Sequence, residues 1–152
     1  MKAITIKQPW AFCITHLDKS LENRNWKLPN GMVGQTIAIH TSKKLDDIHG
    51  RKEAYRMAGF ALSQLDDHMP LGCIVATAVI SGEAYFDSDG CRRLRQLMRE
   101  PDEQELARMK NWFVGDYGFW LTDVTSLKEP IPCRGQLGFW TIPAEIQQRL
   151  NA

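Results

Sequence analysis

The run Lys19-Ser20-Leu21-Glu22-Asn23-Arg24-Asn25-Trp26 brings an ammonium, a carboxylate and a guanidinium into close sequence proximity. If the run is extended, Ser20, Glu22, Arg24 and Trp26 share one face and Leu21, Asn23 and Asn25 the other. Leu21 is its only aliphatic residue, so both faces are mostly polar, which suits a strand lining a wet cleft. Glu22 and Arg24 are next-but-one neighbours and can pair. A guanidinium held by a carboxylate keeps spare donors for a phosphate or a carbonyl. Lys19 precedes Glu22 by three positions, so a turn entering the strand can bring the two together. A lysine beside a glutamate is either anchored or tuned for base chemistry. The competing reading is a solvated edge strand carrying a surface ion pair.

Other residues extend the same chemistry. Lys7, Gln8 and Trp10 come early in the chain, and His40-Thr41-Ser42-Lys43-Lys44 ends an otherwise apolar segment with an abrupt change to polar and basic groups. Arg134, before Gly135, is a further phosphate candidate. Basic groups of this kind hold phosphates, and a tryptophan can stack on a base. Each has a structural alternative. Trp10 lies on a helical stripe and can be core, His40 can be a hydrogen-bonded structural histidine, and Lys43 and Lys44 can form a solvated turn.

Composition bounds the partners. The net charge is +1 over 152 residues, so nucleic-acid binding would require a local basic patch rather than an overall polycation. Length and a 43% hydrophobic content fit one domain, residues 1–152, with a core large enough to fold unaided. Cys13, Cys73, Cys91 and Cys133 are far apart and form no C-x-x-C pair, which fits free thiols in a reducing cytoplasm. His16, His40, His49 and His68 show no ligand spacing with them, so no metal or cofactor is expected. The N-terminal residues form no signal peptide, and no stretch approaches the ~20 apolar residues of a membrane span.

The elements that must position these groups follow from periodicity. Residues 3–7 alternate as a short strand. Pro9 fits the first position of a helix whose stripe is Trp10, Cys13, Ile14, Leu17 and Leu21. Residues 34–42 form a second strand and 45–65 a helix interrupted by Gly59. Residues 72–82 are the most apolar strand and should be central. The arginine-rich run 90–100 is expected to be helical, either as a solvated face or as a phosphate-facing arm, and Pro101 opens another helix. Residues 117–124 and 138–143 read as strands, 130–135 as an extended edge and 144–150 as a terminal helix, with Trp120 and Trp140 in the core. The sum is a small mixed barrel of α+β class flanked by helices, with a helical insert at 86–112.

Four pieces together resemble the ASCH (activating signal cointegrator homology) domain family of the PUA-like superfamily. They are Ile6-Lys7-Gln8-Pro9-Trp10-Ala11; Lys19-x-x-Glu22-x-Arg24, the core of the family's G-x-K-x-x-E-x-R pattern; Gly34 through Lys44; and Tyr117-Gly118-Phe119-Trp120-Leu121 with Pro130-x-Pro132-x-Arg134-Gly135 and Gly138-Phe139-Trp140. The pattern's glycine falls at Leu17, which implies a different exit from the preceding helix.

The resemblance implies a PUA-like β-barrel with a cleft that binds RNA, a single-stranded segment or a nucleotide-like small molecule. Lys7, Gln8, Trp10, Lys19, Glu22, Arg24, His40, Ser42, Lys43, Lys44 and Arg134 are the expected contacts. Some relatives hydrolyse N4-acetylcytidine and some cut RNA. In a hydrolase, Lys19 would be the base or activate the nucleophile, Glu22 would hold or protonate the leaving amine, and Arg24 would fix the substrate. The amidohydrolase relatives use a lysine, a hydroxyl residue and a glutamate. Glu22 stands at the hydroxyl position here, so Ser20 or Ser42 would have to replace it. A third reading, from another class, is a protein-interaction module built on the 86–112 segment.

Overall fold

The structure is a computed structural model in which residues 1–59 and 69–152 are described. The described elements run β1 (Lys2–Ile6), α1 (Trp10–His16), β2 (Leu21–Arg24), β3 (Thr36–Thr41), α2 (Ile48–Ala58), β4 (Cys73–Phe86), β5 (Arg92–Arg95), α3 (Glu103–Trp112), β6 (Tyr117–Pro132), β7 (Phe139–Thr141) and α4 (Ala144–Asn151). The strands make one curled half-barrel sheet in the order β2-β6-β4-β3-β1-β7, with β5 added beside β4. β1 and β3 are parallel, and the other pairs are antiparallel.

The apolar segment expected to be central is central. β4 pairs with β3, β5 and β6 along its length. Its inward side chains Ala76, Ala78 and Ile80 pack with Ile4, Ile6, Ile37, Ile39, Phe119 and Leu121 inside the curl. Ile74, Ile131, Trp140 and Ile142 pack with Ile146 of α4. α3 covers Leu21, Ala84 and Trp120 with Met109 and Phe113.

The two edge strands of the path approach each other through side chains. Trp26, just past β2, meets the Phe139 ring of β7 edge-on at 5.7 Å and Phe119 at 5.1 Å. Arg24 Nη2 donates to the Thr5 carbonyl of β1 at 2.7 Å. This seam is where the sheet would close, and it leaves a concavity.

Several sequence expectations are corrected. The 90–100 run is not a helix. Residues 92–95 pair with Glu83–Phe86 as a strand, because Arg95 finds the buried Glu83 carboxylate at 2.8 Å and the Tyr85 ring at 4.4 Å. Within the segment read as a helical insert, helix is confined to Glu103–Trp112, started by an Asp102–Glu105 capping box. Residues 117–132 form one long strand rather than two segments. α1 starts at Trp10, one residue after Pro9, and ends at His16, so Leu21 belongs to β2. α2 is capped by Asp47 and stopped by Gly59. The expected helical residues 60–65, and His68, lie outside the described residues.

Candidate nucleic-acid cleft at the sheet seam

The chain leaves α1 through Leu17 with an ordinary φ of −126°, and the left-handed conformation falls on the next residue, Asp18, at φ 57°. The turn that a glycine would make is thus shifted by one position onto an aspartate, a residue that tolerates this region. The turn delivers Lys19 inward, where the backbone N–H of Lys19 is held by the Cys13 carbonyl at 3.1 Å.

Lys19 is buried, with its Nζ 3.5 Å from Glu22 Oε2, bonded to the Leu21 carbonyl and 5.6 Å from the Trp10 ring centre. Burial pushes its pKa below the ordinary 10.5, partly offset by the Glu22 charge. The other oxygen, Glu22 Oε1, lies 3.0 Å from Arg24 Nε. That approach is an ion pair without a well-aligned hydrogen bond, since Arg24 Nε has no directional acceptor. One carboxylate therefore sits between two basic side chains. Arg24 is also fixed by the Thr5 carbonyl, and its remaining N–H groups can serve a ligand.

Three adjoining concavities run along the seam. The innermost, about 200 Å³, is lined by Trp10, Lys19, Glu22, Asn23 and Val114. The central one, about 360 Å³, shares Trp10, Glu22 and Asn23 with it and adds Thr5, Lys7, Arg24, Ser42, Asp46 and Leu137 among others. The third, about 310 Å³, shares Thr5, Ser42 and Leu137 with the central one and adds His40, Lys43 and Arg134. Lys7, Lys43 and Arg134 are exposed at the mouth, whereas Trp10 and Arg24 are half-buried.

Of the residues singled out in the sequence, Lys7, Trp10, Lys19, Glu22, Arg24, His40, Ser42, Lys43 and Arg134 all line this groove. Three do not. Gln8 is buried as a fold residue, accepting from Phe12 N and donating to the Pro70 carbonyl. Ser20 lines another cavity, which Lys19 also borders, with Asp18, Arg99 and Asp123. Lys44 is exposed and lines none of the three concavities. The arginines of 92–99 lie elsewhere. Arg93, Arg95 and Arg99 are paired with Asp87, Glu83 and Glu105.

His40 is held as a structural base of the groove. Its Nε2 is 3.0 Å from the Cys133 carbonyl, which can only accept, so that nitrogen carries the proton. Nδ1 then accepts from Thr5 Oγ1 at 3.2 Å, while Thr5 Oγ1 accepts from Trp140 Nε1 at 3.1 Å. Burial holds the His40 pKa below the ordinary 6.5, so the ring is neutral near pH 7. Gly135 passes so close that a Cβ there would meet His40 Cε1 at 2.4 Å.

Two contributors escape sequence reasoning. Asp46 accepts the Trp10 indole N–H at 2.8 Å and lies 3.6 Å from Lys7 Nζ. Asn23 ties the end of α3 to β2, donating to the Trp112 carbonyl and accepting from Val114 N. Neither has a local motif, since the partners are distant in sequence. Among the described residues, no cluster of three or more His, Cys, Asp or Glu could hold a metal. No helix among them is long and apolar enough to cross a membrane.

No protein-family model and no curated protein matches the chain. Solved structures do. The ASCH protein of Zymomonas mobilis superposes with a TM-score of 0.53 at 14% identity, over 99% of this chain and 92% of that one. A tyrosine-to-phenylalanine mutant of the same protein gives the same TM-score and identity over 99% of this chain and 95% of that one. The half-barrel sheet is matched over nearly its whole length, so the chain shares the fold of these ASCH proteins.

Proposed function

We propose that the protein binds nucleic acid, taking a single-stranded segment or a nucleotide unit into the seam cleft. The observation that carries this reading is a half-buried Trp10 sharing the inner and central concavities with Lys19, Glu22 and Arg24, beside the concavity lined by Lys43 and Arg134. The exposed cations would meet phosphates, the indole face would stack a base, and Arg24 would reach a phosphate or a base carbonyl. The groove is a string of small concavities along one seam, which favours a single strand over a duplex. Fluorescence anisotropy with a labelled single-stranded RNA and its blunt duplex, titrated across salt, tests the reading. The single strand should bind, with an affinity that falls steeply as salt rises because displaced counterions drive association. Absence of binding by every probe at low salt removes the proposal.

A second reading has one observation in its favour. Lys19 is a buried amine with a lowered pKa, 3.5 Å from a carboxylate, at the end of the groove. A lysine whose proton is held less tightly in this way is more readily available as a base. Ser42, which lines the central concavity, would be the nucleophile, whereas Ser20 lines another cavity that Lys19 also borders. Incubation with N4-acetylcytidine, followed for cytidine release, tests this hydrolase reading. Full turnover by Lys19→Ala would overturn the mechanism.

A further inference from the structure

A second concavity lies away from the seam, between β5 and α3. It has a volume of about 370 Å³ and a floor of Leu94, Met109 and Phe113. Its rim carries Arg92, Arg93 and Lys110. Arg93 is neutralised in part by Asp87 at 2.7 Å. Arg92 and Lys110 have no carboxylate partner among the described residues. The Arg92 guanidinium instead lies 6.0 Å from the Phe86 ring and 3.5 Å from the Lys110 carbonyl. Phe86, stacked on Phe113 at 4.9 Å, is 43% exposed, and Leu106 at the mouth is 44% exposed. Met109 and Phe113 belong to the core with Leu21, Ala84 and Trp120, yet their outer edges floor an open concavity rimmed by unpaired cations.

Backbone chemistry adds a second element. Among the described residues β5 pairs only with β4, so one edge of the strand offers unpaired N–H and C=O groups there. An exposed edge beside an apolar pocket is the arrangement that receives an extended peptide, with main-chain bonds giving register and one side chain filling the pocket. The charge selects the partner. Three of the four residues of β5 are arginine, so a second copy of this chain pairing edge to edge would set arginine against arginine. The floor of leucine, methionine and phenylalanine offers no donor or acceptor to read a base edge, which disfavours sequence readout of a nucleotide. We infer that the β5–α3 surface docks an acidic, extended protein segment that places one large apolar side chain between Leu94, Met109 and Phe113. This surface is independent of the seam cleft and of the function proposed for it.

The probe is a fluorescein-labelled heptapeptide of aspartate and glutamate with one central phenylalanine, titrated with the full chain at low salt. Saturable binding is expected, about tenfold weaker when the phenylalanine is replaced by serine. A loss of at least that size is expected for the double substitution Arg92→Glu and Lys110→Glu, whereas Lys43→Glu in the seam cleft should leave peptide binding within about twofold. Should the double variant unfold by circular dichroism, Leu106→Glu replaces it and is expected to weaken binding comparably. The inference is overturned if the acidic peptide does not bind, or if the serine peptide or a lysine-flanked phenylalanine peptide binds as well. It is also overturned if decanoate or single-stranded RNA occupies the surface in place of the peptide, or if light scattering finds a dimer that Leu106→Glu dissolves.

Discussion

Asp46 Oδ2 accepts the indole N–H of Trp10 at 2.8 Å, and the same carboxylate lies 3.6 Å from Lys7 Nζ. One acid thus fixes both the flat face and the nearest mouth cation of the cleft. A charge-assisted bond of this kind contributes about 1.5–3 kcal/mol. Asp46→Ala is expected to lose an amount in that range in urea unfolding. Asp46→Asn keeps an acceptor for the indole and should lose less than about 1 kcal/mol. Equal losses for the two would mean that the charge on Lys7, rather than the bond to Trp10, is what Asp46 serves.

The turn into the cleft strand makes a separate prediction. Asp18 occupies φ 57°, which costs a β-branched residue about 1–2 kcal/mol that glycine does not incur. Asp18→Gly should be neutral or slightly stabilising, and Asp18→Val destabilising by about 1–2 kcal/mol, measured by denaturant midpoint at constant slope. A neutral Asp18→Val would show that the left-handed turn is not needed to deliver Lys19.

His40 links stability to pH. Its folded-state pKa is depressed by burial below the ordinary 6.5, so between those two values the unfolded chain binds a proton that the folded chain does not. Its contribution is therefore fully present above 6.5 and is lost as pH falls through the folded-state pKa. Unfolding free energies of wild type and His40→Gln, compared at several pH values from 7.5 downward, should show a steeper acid decline in the wild type. Parallel curves would mean that the folded ring takes up its proton as readily as the unfolded one.

Leu137 is 97% exposed on the lip shared by the central and third concavities. A side chain with no packing contributes little to folding, so Leu137→Ser should change stability by less than about 0.5 kcal/mol. In the proposed binding mode it supplies apolar contact to a base, and the same substitution should weaken single-stranded RNA binding severalfold. Unchanged affinity would remove Leu137 from the interface.

The strands and the local triad were legible in the sequence because their signals are local. Ile4 and Ile6, Ile37 and Ile39, and the run from Cys73 to Ile80 carry β-branched periodicity strong enough to define β1, β3 and β4. Glu22 and Arg24 meet because a strand sets next-but-one residues on one face. The residues Arg92–Arg95 misled because their partners are remote. Glu83, Tyr85 and Tyr117 turn an arginine-rich run into a sheet strand, and nothing in the run itself reports them. The same holds for Asp46, which is 36 residues from Trp10 and joined to it only through the loop after β3. Ser20 and Ser42 share only a residue type in the sequence, and the turn at Asp18 leaves Ser20 in another cavity beside Lys19.

In the proposed binding mode, exposed cations along the seam contact the phosphates of a single strand. The most direct measurement is the slope of log binding constant against log salt for single-stranded RNA, in wild type and in the double variant Lys43→Ala, Arg134→Ala. Each phosphate contact removed should flatten the slope by about 0.7, so the double variant should lose about 1.4. A slope that stays at the wild-type value, with binding intact, would contradict the account, because the strand would then be lying somewhere other than the cleft.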